Sequence, residues 1–123
     1  MGKFVVAQAK TGIKFNLLDD KGDILASSQI YKTLKTALAG VDSVKANAAE
    51  APIEDQTAEG YKAEKCPKFE VYADKAGKPR FRLKAKNGQI IAVGEGYESM
   101  KACLDEIAAI KANAPEAAVE QEA

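Results

Sequence analysis

The residue types that most often carry catalysis are scarce in this sequence. Its 123 residues include no histidine and only two cysteines, Cys66 and Cys103. Histidine is the commonest general base and metal ligand, and a cysteine nucleophile needs an activating base. Two isolated cysteines do not make a zinc site, and Cys103 belongs to an apolar helical stripe that is typical of the core. We therefore predict no catalytic residues, no metal and no cofactor.

Two further patterns could carry chemistry but lack a necessary part. Asp19 and Asp20 are the only notable acidic pair, and neighbouring residues on a strand point to opposite faces, so they cannot converge on a substrate. Residues 94–99 resemble a phosphate-binding loop, but the third glycine of the motif is missing and the chain shows no parallel βαβ unit. These patterns predict neither an active site nor a phosphate site.

The most distinctive pattern is a basic stripe that precedes Asn87-Gly88. Basic residues alternate with Phe81, Leu83 and Ala85, which indicates a strand with one buried face. Asn-Gly predicts a two-residue type I′ hairpin, and a second apolar strand follows at once. The basic stripe consists of Arg80, Arg82, Lys84 and Lys86.

The hairpin defines a candidate binding surface on the face opposite the apolar residues. Its predicted register sets Arg80 opposite Glu95, Arg82 opposite Val93 and Lys84 opposite Ile91. Tyr72 on the preceding strand points to the same side. Such a face suits a protein or anionic partner, or single-stranded nucleic acid bound by cations and an aromatic ring. It is also typical of a solvated outer face. The candidate residues are Tyr72, Arg80, Arg82, Lys84, Lys86, Ile91 and Val93.

The elements that position this surface occur twice. Phe4 aligns with Phe69 at an offset of 65, and Phe15 aligns with Phe81 at an offset of 66. One extra residue in a turn of the second copy explains the change, because insertions belong in turns. We predict a first repeat at 1–57, a linker at 58–67 and a second repeat at 68–123.

Each repeat follows the order β-β-β-α-β. Thr33 and Ser99 are the predicted helix N-caps, and Asn47 suits a left-handed position after the first helix. Short final strands are predicted around Ile53 and Val119. One repeat of about 55 residues buries too little surface to be stable alone. The predicted fold is α+β, with one antiparallel-rich sheet and both helices on one face.

A tyrosine precedes each N-cap by two residues, at Tyr31 and Tyr97. A ring packed at the corner between strand and helix explains this position. A matched pair of ligand-stacking rings is the alternative.

Several segments of the second repeat resemble the YegP-like family of small bacterial domains. The similarity covers the whole chain and is looser in the first repeat, where Lys21 replaces the asparagine of the turn. The resemblance implies tandem units that share one sheet, with the C-terminal strands exchanged between them. It implies no activity and no catalytic residues. The segments are 69–72, 80–85, 87–92, 96–97 and 111–115.

The overall charge is balanced, with 18 basic and 18 acidic residues. A neutral chain has no general attraction for polyanions, which disfavours nucleic acid as the partner. Few cysteines, and no apolar run near the roughly 20 residues of a membrane helix, predict a cytoplasmic protein that does not enter membranes. We predict a monomeric, non-enzymatic binding or accessory module, with weak nucleic-acid or anion binding as the alternative.

Overall fold

In the part of the chain that the structure describes, eight strands and two helices follow one another in the order of two β-β-β-α-β repeats. The computed structural model describes residues 2–94 and 96–121. Within these residues, neither helix is long and apolar enough to cross a membrane. The elements are β1 (Lys3–Ala9), β2 (Gly12–Leu18), β3 (Ile24–Ser27), α1 (Leu34–Asn47), β4 (Ile53–Asp55), β5 (Lys68–Ala73), β6 (Pro79–Lys84), β7 (Ile90–Val93), α2 (Met100–Asn113), a 3₁₀ turn (Ala114–Glu116) and β8 (Ala118–Gln121).

All eight strands belong to one sheet, in the order β4-β5-β6-β7-β3-β2-β1-β8. The last strand of each repeat joins the other repeat: β4 pairs in parallel with β5, and β8 pairs in parallel with β1. All other pairings are antiparallel. We call β4, β5, β6 and β7 the second half-sheet, and β3, β2, β1 and β8 the first half-sheet. The exchanged strands tie the two repeats together.

One face of the sheet packs against both helices. Phe4 and Phe15 meet edge to face in the first half-sheet with ring centroids 5.8 Å apart, and Phe69 and Phe81 repeat this contact at 6.0 Å. All four rings are buried within one hydrophobic cluster that draws on both repeats. Burying a phenyl ring stabilises a fold by about 2–3 kcal/mol. The core is therefore shared, as predicted.

The helices begin as predicted and end differently. The Thr33 hydroxyl accepts a hydrogen bond from the Thr36 amide at 3.1 Å, and Ser99 does the same for Ala102 at 3.1 Å. Asn47 does not take a left-handed position, because it remains in α1 and the helical residue Ala48 caps the helix. The Asn47 side-chain amide instead donates to the Ser43 carbonyl at 2.8 Å, which fixes it as part of the last turn.

The hairpin after β6 is not a two-residue type I′ turn. The Gly88 amide donates to the Ala85 carbonyl and the Ala85 amide donates to the Gln89 carbonyl, so three residues form the loop. Within this loop only Gly88 has a positive φ, at 84°, whereas a type I′ turn needs a positive φ at Asn87 as well. Asn87 uses its side chain instead, accepting from the Gln89 amide at 3.0 Å.

The longer loop also changes the strand register. Arg82 pairs with Val93 as predicted, but Lys84 pairs with Ile90 rather than Ile91. The register shifts between Leu83 and Lys84, as at a β-bulge, where one strand contributes an extra residue. The predicted pairing of Arg80 with Glu95 involves a residue outside the described part of the chain.

Candidate functional site

The basic stripe lies on the face of the second half-sheet that the helices leave open. Phe81 and Leu83 point into the core, so Arg82, between them, points to the other face. Its neighbours across the strands are Glu70 on β5 and Val93 on β7. A solvated row of cations was one expectation for this face, and the surroundings of Arg82 are different.

A buried carboxylate lies beneath the basic stripe. The Glu70 carboxylate contacts three cations: Arg82, the Lys68 ammonium at 3.1 Å and the Lys84 ammonium at 3.3 Å. Glu70 itself is only 3% exposed. A buried charge is costly unless it is paired and hydrogen-bonded. Arg82 and Lys84 therefore compensate Glu70 instead of extending freely into solvent.

A second buried carboxylate extends the network to the edge of the sheet. Glu54 on β4 is 2% exposed and binds the Lys68 ammonium at 2.9 Å. The Gln56 side-chain amide and the Glu64 backbone amide each donate to the Glu54 carboxylate at 2.7 Å. The segment between β4 and β5 thus supplies hydrogen bonds that a carboxylate removed from water requires.

The ionisation of the network follows from these contacts. Hydrogen bonds from Gln56 and Lys68 lower the pKa of Glu54 from 4.5 to about 2, against the opposing effect of burial. Burial acts to raise the pKa of Glu70, but hydrogen bonds from Arg82, Lys68 and Lys84 outweigh it and lower that pKa. The hydrogen bond to Glu54 raises the pKa of Lys68. All three groups are therefore charged at neutral pH.

Tyr72 and Arg82 form the accessible part of this surface. The Arg82 guanidinium carbon lies 4.6 Å from the centroid of the Tyr72 ring, a cation–π contact. About 30% of the Arg82 side chain is exposed. Arg80 lies beside them, with its Nε 3.4 Å from the Gly94 carbonyl oxygen. Lys86 lies beyond the end of β6, in the exposed turn. The prediction that it belongs to the strand face is therefore wrong.

The last two candidate residues, Val93 and Ile91, lie in different surroundings. Val93 is half-buried opposite Arg82, as predicted. Ile91 is 5% exposed and belongs to the hydrophobic core, so its predicted place on the open face is wrong. The register shift next to Lys84 explains the error, because strict alternation through β7 no longer holds.

The sequence prediction overlooked Glu54 and Glu70, which anchor the surface. Glu70 alternates with Phe69 and Val71 on β5, so its side of the sheet could have been inferred. Its place opposite Arg82 depends on the register of β5 with β6. Glu54 could not have been assigned, because its neighbour β5 belongs to the other repeat.

A large cleft lies at the contact between the repeats, and Lys84 of the charged network is part of its lining. It has a volume of about 850 Å³ and is enclosed by the loop before α1, by one side of α1 and by the β6–β7 hairpin. Tyr31 and Gly40 belong to its lining, as does Ile91. The Tyr31 ring stacks on Phe15, with ring centroids 6.1 Å apart. This confirms that Tyr31 packs at the corner between strand and helix.

A smaller cleft occupies the equivalent position in the other repeat. It has a volume of about 180 Å³ and is lined by Tyr97 and Glu106 together with residues of β3. Tyr97 stacks on Phe81 at 5.9 Å, as Tyr31 does on Phe15. Glu106 aligns with Gly40 at the offset of 66, so the smaller cleft is lined by a carboxylate where the first repeat has a glycine against the Tyr31 ring.

The two cysteines differ in burial, and neither is in a disulfide. Burial raises the pKa of the Cys103 thiol to about 11, and the negative charges of Asp55 and Glu106 add to the effect. A thiol with a raised pKa is a poor nucleophile. Within residues 2–94 and 96–121, no group of three or more acidic or cysteine side chains is placed to hold a metal ion.

Comparisons with known proteins agree with the repeat structure. Residues 9–55 and 74–121 each match the Domain of unknown function DUF1508. The UPF0339 protein YegP of Yersinia pestis is 33% identical over 114 residues, which are 92% of this chain and 88% of that protein. A UPF0339 protein of Treponema denticola is 62% identical over 52 residues, which are 42% of this chain and 90% of that protein.

A solved structure shows the same fold. The solution NMR structure of yegP from E. coli, described as a protein of unknown function, superposes with a TM-score of 0.79. The match has 25% sequence identity and covers 98% of this chain and 92% of that one. The chain therefore belongs to the DUF1508 family of UPF0339, YegP-like proteins and carries two copies of the family's domain.

Proposed function

We propose that this protein is a non-enzymatic binding module that holds an acidic segment of a partner protein on the open face of the second half-sheet. The observation that carries the proposal is the fixed position of Arg82. Its guanidinium is paired with buried Glu70 and lies over the Tyr72 ring, while part of the side chain remains exposed. A cation held in place in this way loses little conformational freedom when it binds an anion.

The charge balance of the surface favours an acidic partner of limited charge. Three cations of the network, Lys68, Arg82 and Lys84, face two carboxylates, which leaves one positive charge. Arg80 and Lys86 add two more nearby. Nucleic acid would instead need several cations free to contact phosphates. Pairing with Glu70 occupies two of the four residues of the basic stripe.

The contacts of Tyr72 and Val93 favour a protein partner over a simple anion. Both side chains are half-buried and flank Arg82 on the open face. Aromatic and arginine residues are the commonest anchors of protein interfaces. An acidic segment with apolar residues at alternate positions would contact the cations and these two side chains together.

The absence of enzymatic activity is part of the proposal. The chain has no histidine, and Cys103 is buried with a raised pKa. The carboxylates of highest burial, Glu54 and Glu70, are fully engaged with cations and amides. We also propose that the chain acts as a monomer in the cytoplasm, because one chain supplies both repeats of the sheet and both thiols are free.

A labelled peptide of alternating glutamate and leucine tests the proposal by fluorescence anisotropy. We expect saturable binding to the full chain and at least a fivefold loss in Tyr72→Ala, because the ring supports Arg82. Arg82→Lys keeps the charge but loses the planar stacking group, and we expect a similar loss. A peptide with lysine in place of glutamate should not bind.

Lys14→Gln is the matched control, because Lys14 aligns with Arg80 but lies in the first half-sheet. It should leave peptide binding unchanged. A single-stranded oligothymidylate tests the alternative. Binding with a log–log salt slope near −0.7 for each contacted phosphate would favour nucleic acid and contradict the proposal. Absence of peptide binding would also contradict it.

A further inference from the structure

The cleft between the repeats has the size of a small-molecule site. Its volume of about 850 Å³ lies within the range of known ligand pockets, about 300–1,000 Å³. Ile30, Ile90 and Ile91 contribute apolar surface, and the amides of Gln29 and Gln89 lie at exposed positions of the lining. The lining therefore offers a ligand both apolar and polar contacts, and such sites use a small number of polar groups to fix a ligand's orientation.

Gly40 lets the Tyr31 ring lie close against α1 at the wall of the cleft. A Cβ atom at residue 40 would lie 2.5 Å from the Tyr31 hydroxyl oxygen and 3.0 Å from a ring carbon of Phe15. The Tyr31 ring therefore fills the space at residue 40, where the second repeat has Glu106. Glycine in the middle of a helix is destabilising by roughly 0.5–1 kcal/mol relative to alanine. Gly40 therefore destabilises the first helix relative to alanine. The close approach of Tyr31 explains why this position is nevertheless a glycine.

The Tyr31 hydroxyl is the polar group that a ligand could engage. No hydrogen bond to this hydroxyl is found within residues 2–94 and 96–121, although the ring is packed on Phe15. The other hydroxyls of the lining are engaged: Thr36 donates to the Thr33 carbonyl, and Ser43 accepts from the Asn47 amide. Burial raises the pKa of Tyr31, so its hydroxyl remains a donor at neutral pH.

The charges around the two clefts differ. Among the described lining residues of the large cleft only Lys84 is charged, and its ammonium is paired with Glu70 at 3.3 Å. In the small cleft, burial raises the pKa of Glu106, and the negative charges of Asp19 and Asp23 contribute. A charged ligand would lose hydration in the large cleft without gaining an opposite charge.

We propose that the large cleft, a site separate from the open sheet face, binds an uncharged small molecule with an apolar body and a hydrogen-bond acceptor directed at the Tyr31 hydroxyl. The isoleucine side chains contact the apolar body. Gly40 lets the Tyr31 hydroxyl lie against α1 at the wall of the cleft, where the ligand would meet it. Glu106 excludes such a ligand from the equivalent cleft of the second repeat.

Three probes of one size separate the charge classes: benzamide, benzoate and benzylammonium. Each is titrated into the ¹⁵N-labelled full chain while amide chemical shifts are recorded. We expect benzamide to shift the amides of Gly40, Ser43 and Gly88 saturably, with a Kd on the order of 1 mM for so small a ligand. The two charged probes should bind at least fivefold more weakly.

Tyr31→Phe should weaken benzamide binding about three- to tenfold, the effect of one hydrogen bond. Tyr97→Phe is the matched control in the second repeat and should leave the Kd unchanged. Gly40→Glu copies the second repeat and should abolish the saturable shifts. Ala39→Glu is a second blocking variant at an exposed lining position, should Gly40→Glu fail to fold.

The proposal is overturned if benzamide gives no saturable shifts at these amides. It is also overturned if a folded blocking variant binds as well as the parent, or if a charged probe binds more tightly than benzamide. Equal losses in Tyr31→Phe and Tyr97→Phe would mean that the hydroxyl of Tyr31 does not contact the probe. Peptide binding at the open face is unaffected by each of these results, so the two proposals fail separately.

Discussion

The two halves of the sheet contain the same ion pair in different surroundings. Lys3 binds Glu120 at 2.9 Å in the first half-sheet, and Lys68 binds Glu54 at 2.9 Å in the second. The side chains of the first pair are 45% and 51% exposed, whereas those of the second are 11% and 2% exposed. Geometry alone therefore says little about an ion pair, because burial determines what its loss would cost.

The residues next to these pairs explain the difference. Val5 and Asn16 occupy the positions of the first half-sheet that Glu70 and Arg82 occupy in the second. Among the described residues, the first half-sheet thus lacks a counterpart of the Glu70–Arg82 pair, although Lys3 and Glu120 are charged. The Asn16 side-chain oxygen is buried there without a hydrogen-bond partner among the described residues. At these two positions the first half-sheet has uncharged side chains, whereas the second has an ion pair with a buried carboxylate.

Separating the repeats is the strongest test of how the halves depend on each other. Residues 1–57 or 68–123 alone should fail to form a stable monomer, because each loses the exchanged strand and half of the shared core. We expect either an unfolded chain or a dimer. Light scattering with thermal melting checks this, and a monomer that melts as cooperatively as the full chain would disprove a shared core.

Substitutions on the two faces of the sheet compare core with surface. Phe81→Ala should cost about 3–5 kcal/mol, since the ring is fully buried. Leu18→Ala should cost about 1 kcal/mol, because Leu18 is half-buried on the open face. Urea denaturation measures both. Equal losses would show that the assignment of the faces is wrong.

Removing the lysine of each ion pair tests the comparison directly. Lys68→Ala leaves Glu54 and Glu70 buried without their shared cation and should cost about 3–5 kcal/mol. Lys3→Ala removes an exposed pair and should cost about 1 kcal/mol or less. Urea denaturation at neutral pH gives both values, and a loss in Lys3→Ala as large as in Lys68→Ala would refute the distinction.

Acid should weaken the second half-sheet through Glu54. Its pKa is lowered from 4.5 to about 2 on folding, so its contribution to stability is present above pH 4.5 and is lost as the pH falls towards 2. The unfolding free energy, measured at pH values from 7 to 2, should decrease as the pH falls from 4.5 towards 2. Glu54→Gln cannot titrate and should show a smaller decrease. An unchanged pH dependence in the variant would contradict the lowered pKa.

The smallest expected effect concerns the two tyrosines. Tyr97→Phe removes a hydrogen bond to Glu106 and should cost about 1–2 kcal/mol. Tyr31→Phe should change the unfolding free energy by less than about 0.5 kcal/mol, because its hydroxyl has no bond to lose within the described residues. Thermal melts of both variants decide whether the two clefts differ as described.

The amino-acid pattern by itself determined the elements and their faces. Two copies of one unit around a shared core are predicted by the aligned phenylalanines, the helical stripes and the N-caps Thr33 and Ser99. The structure agrees. These features depend on residues close together in the chain, and local periodicity records them directly. The predicted boundaries at 57 and 68 stay a prediction.

Only the tertiary structure decided the register of the second hairpin and the neighbours of the basic stripe. The loop gained one residue and moved Ile91 into the core, which a turn motif does not reveal. Glu54 reaches Lys68 through a strand exchanged between repeats, and one cleft lies between α1 and the hairpin of the other repeat. Pairing between distant segments depends on packing across the whole core, so neither burial nor charge compensation at these residues could be inferred from local sequence alone.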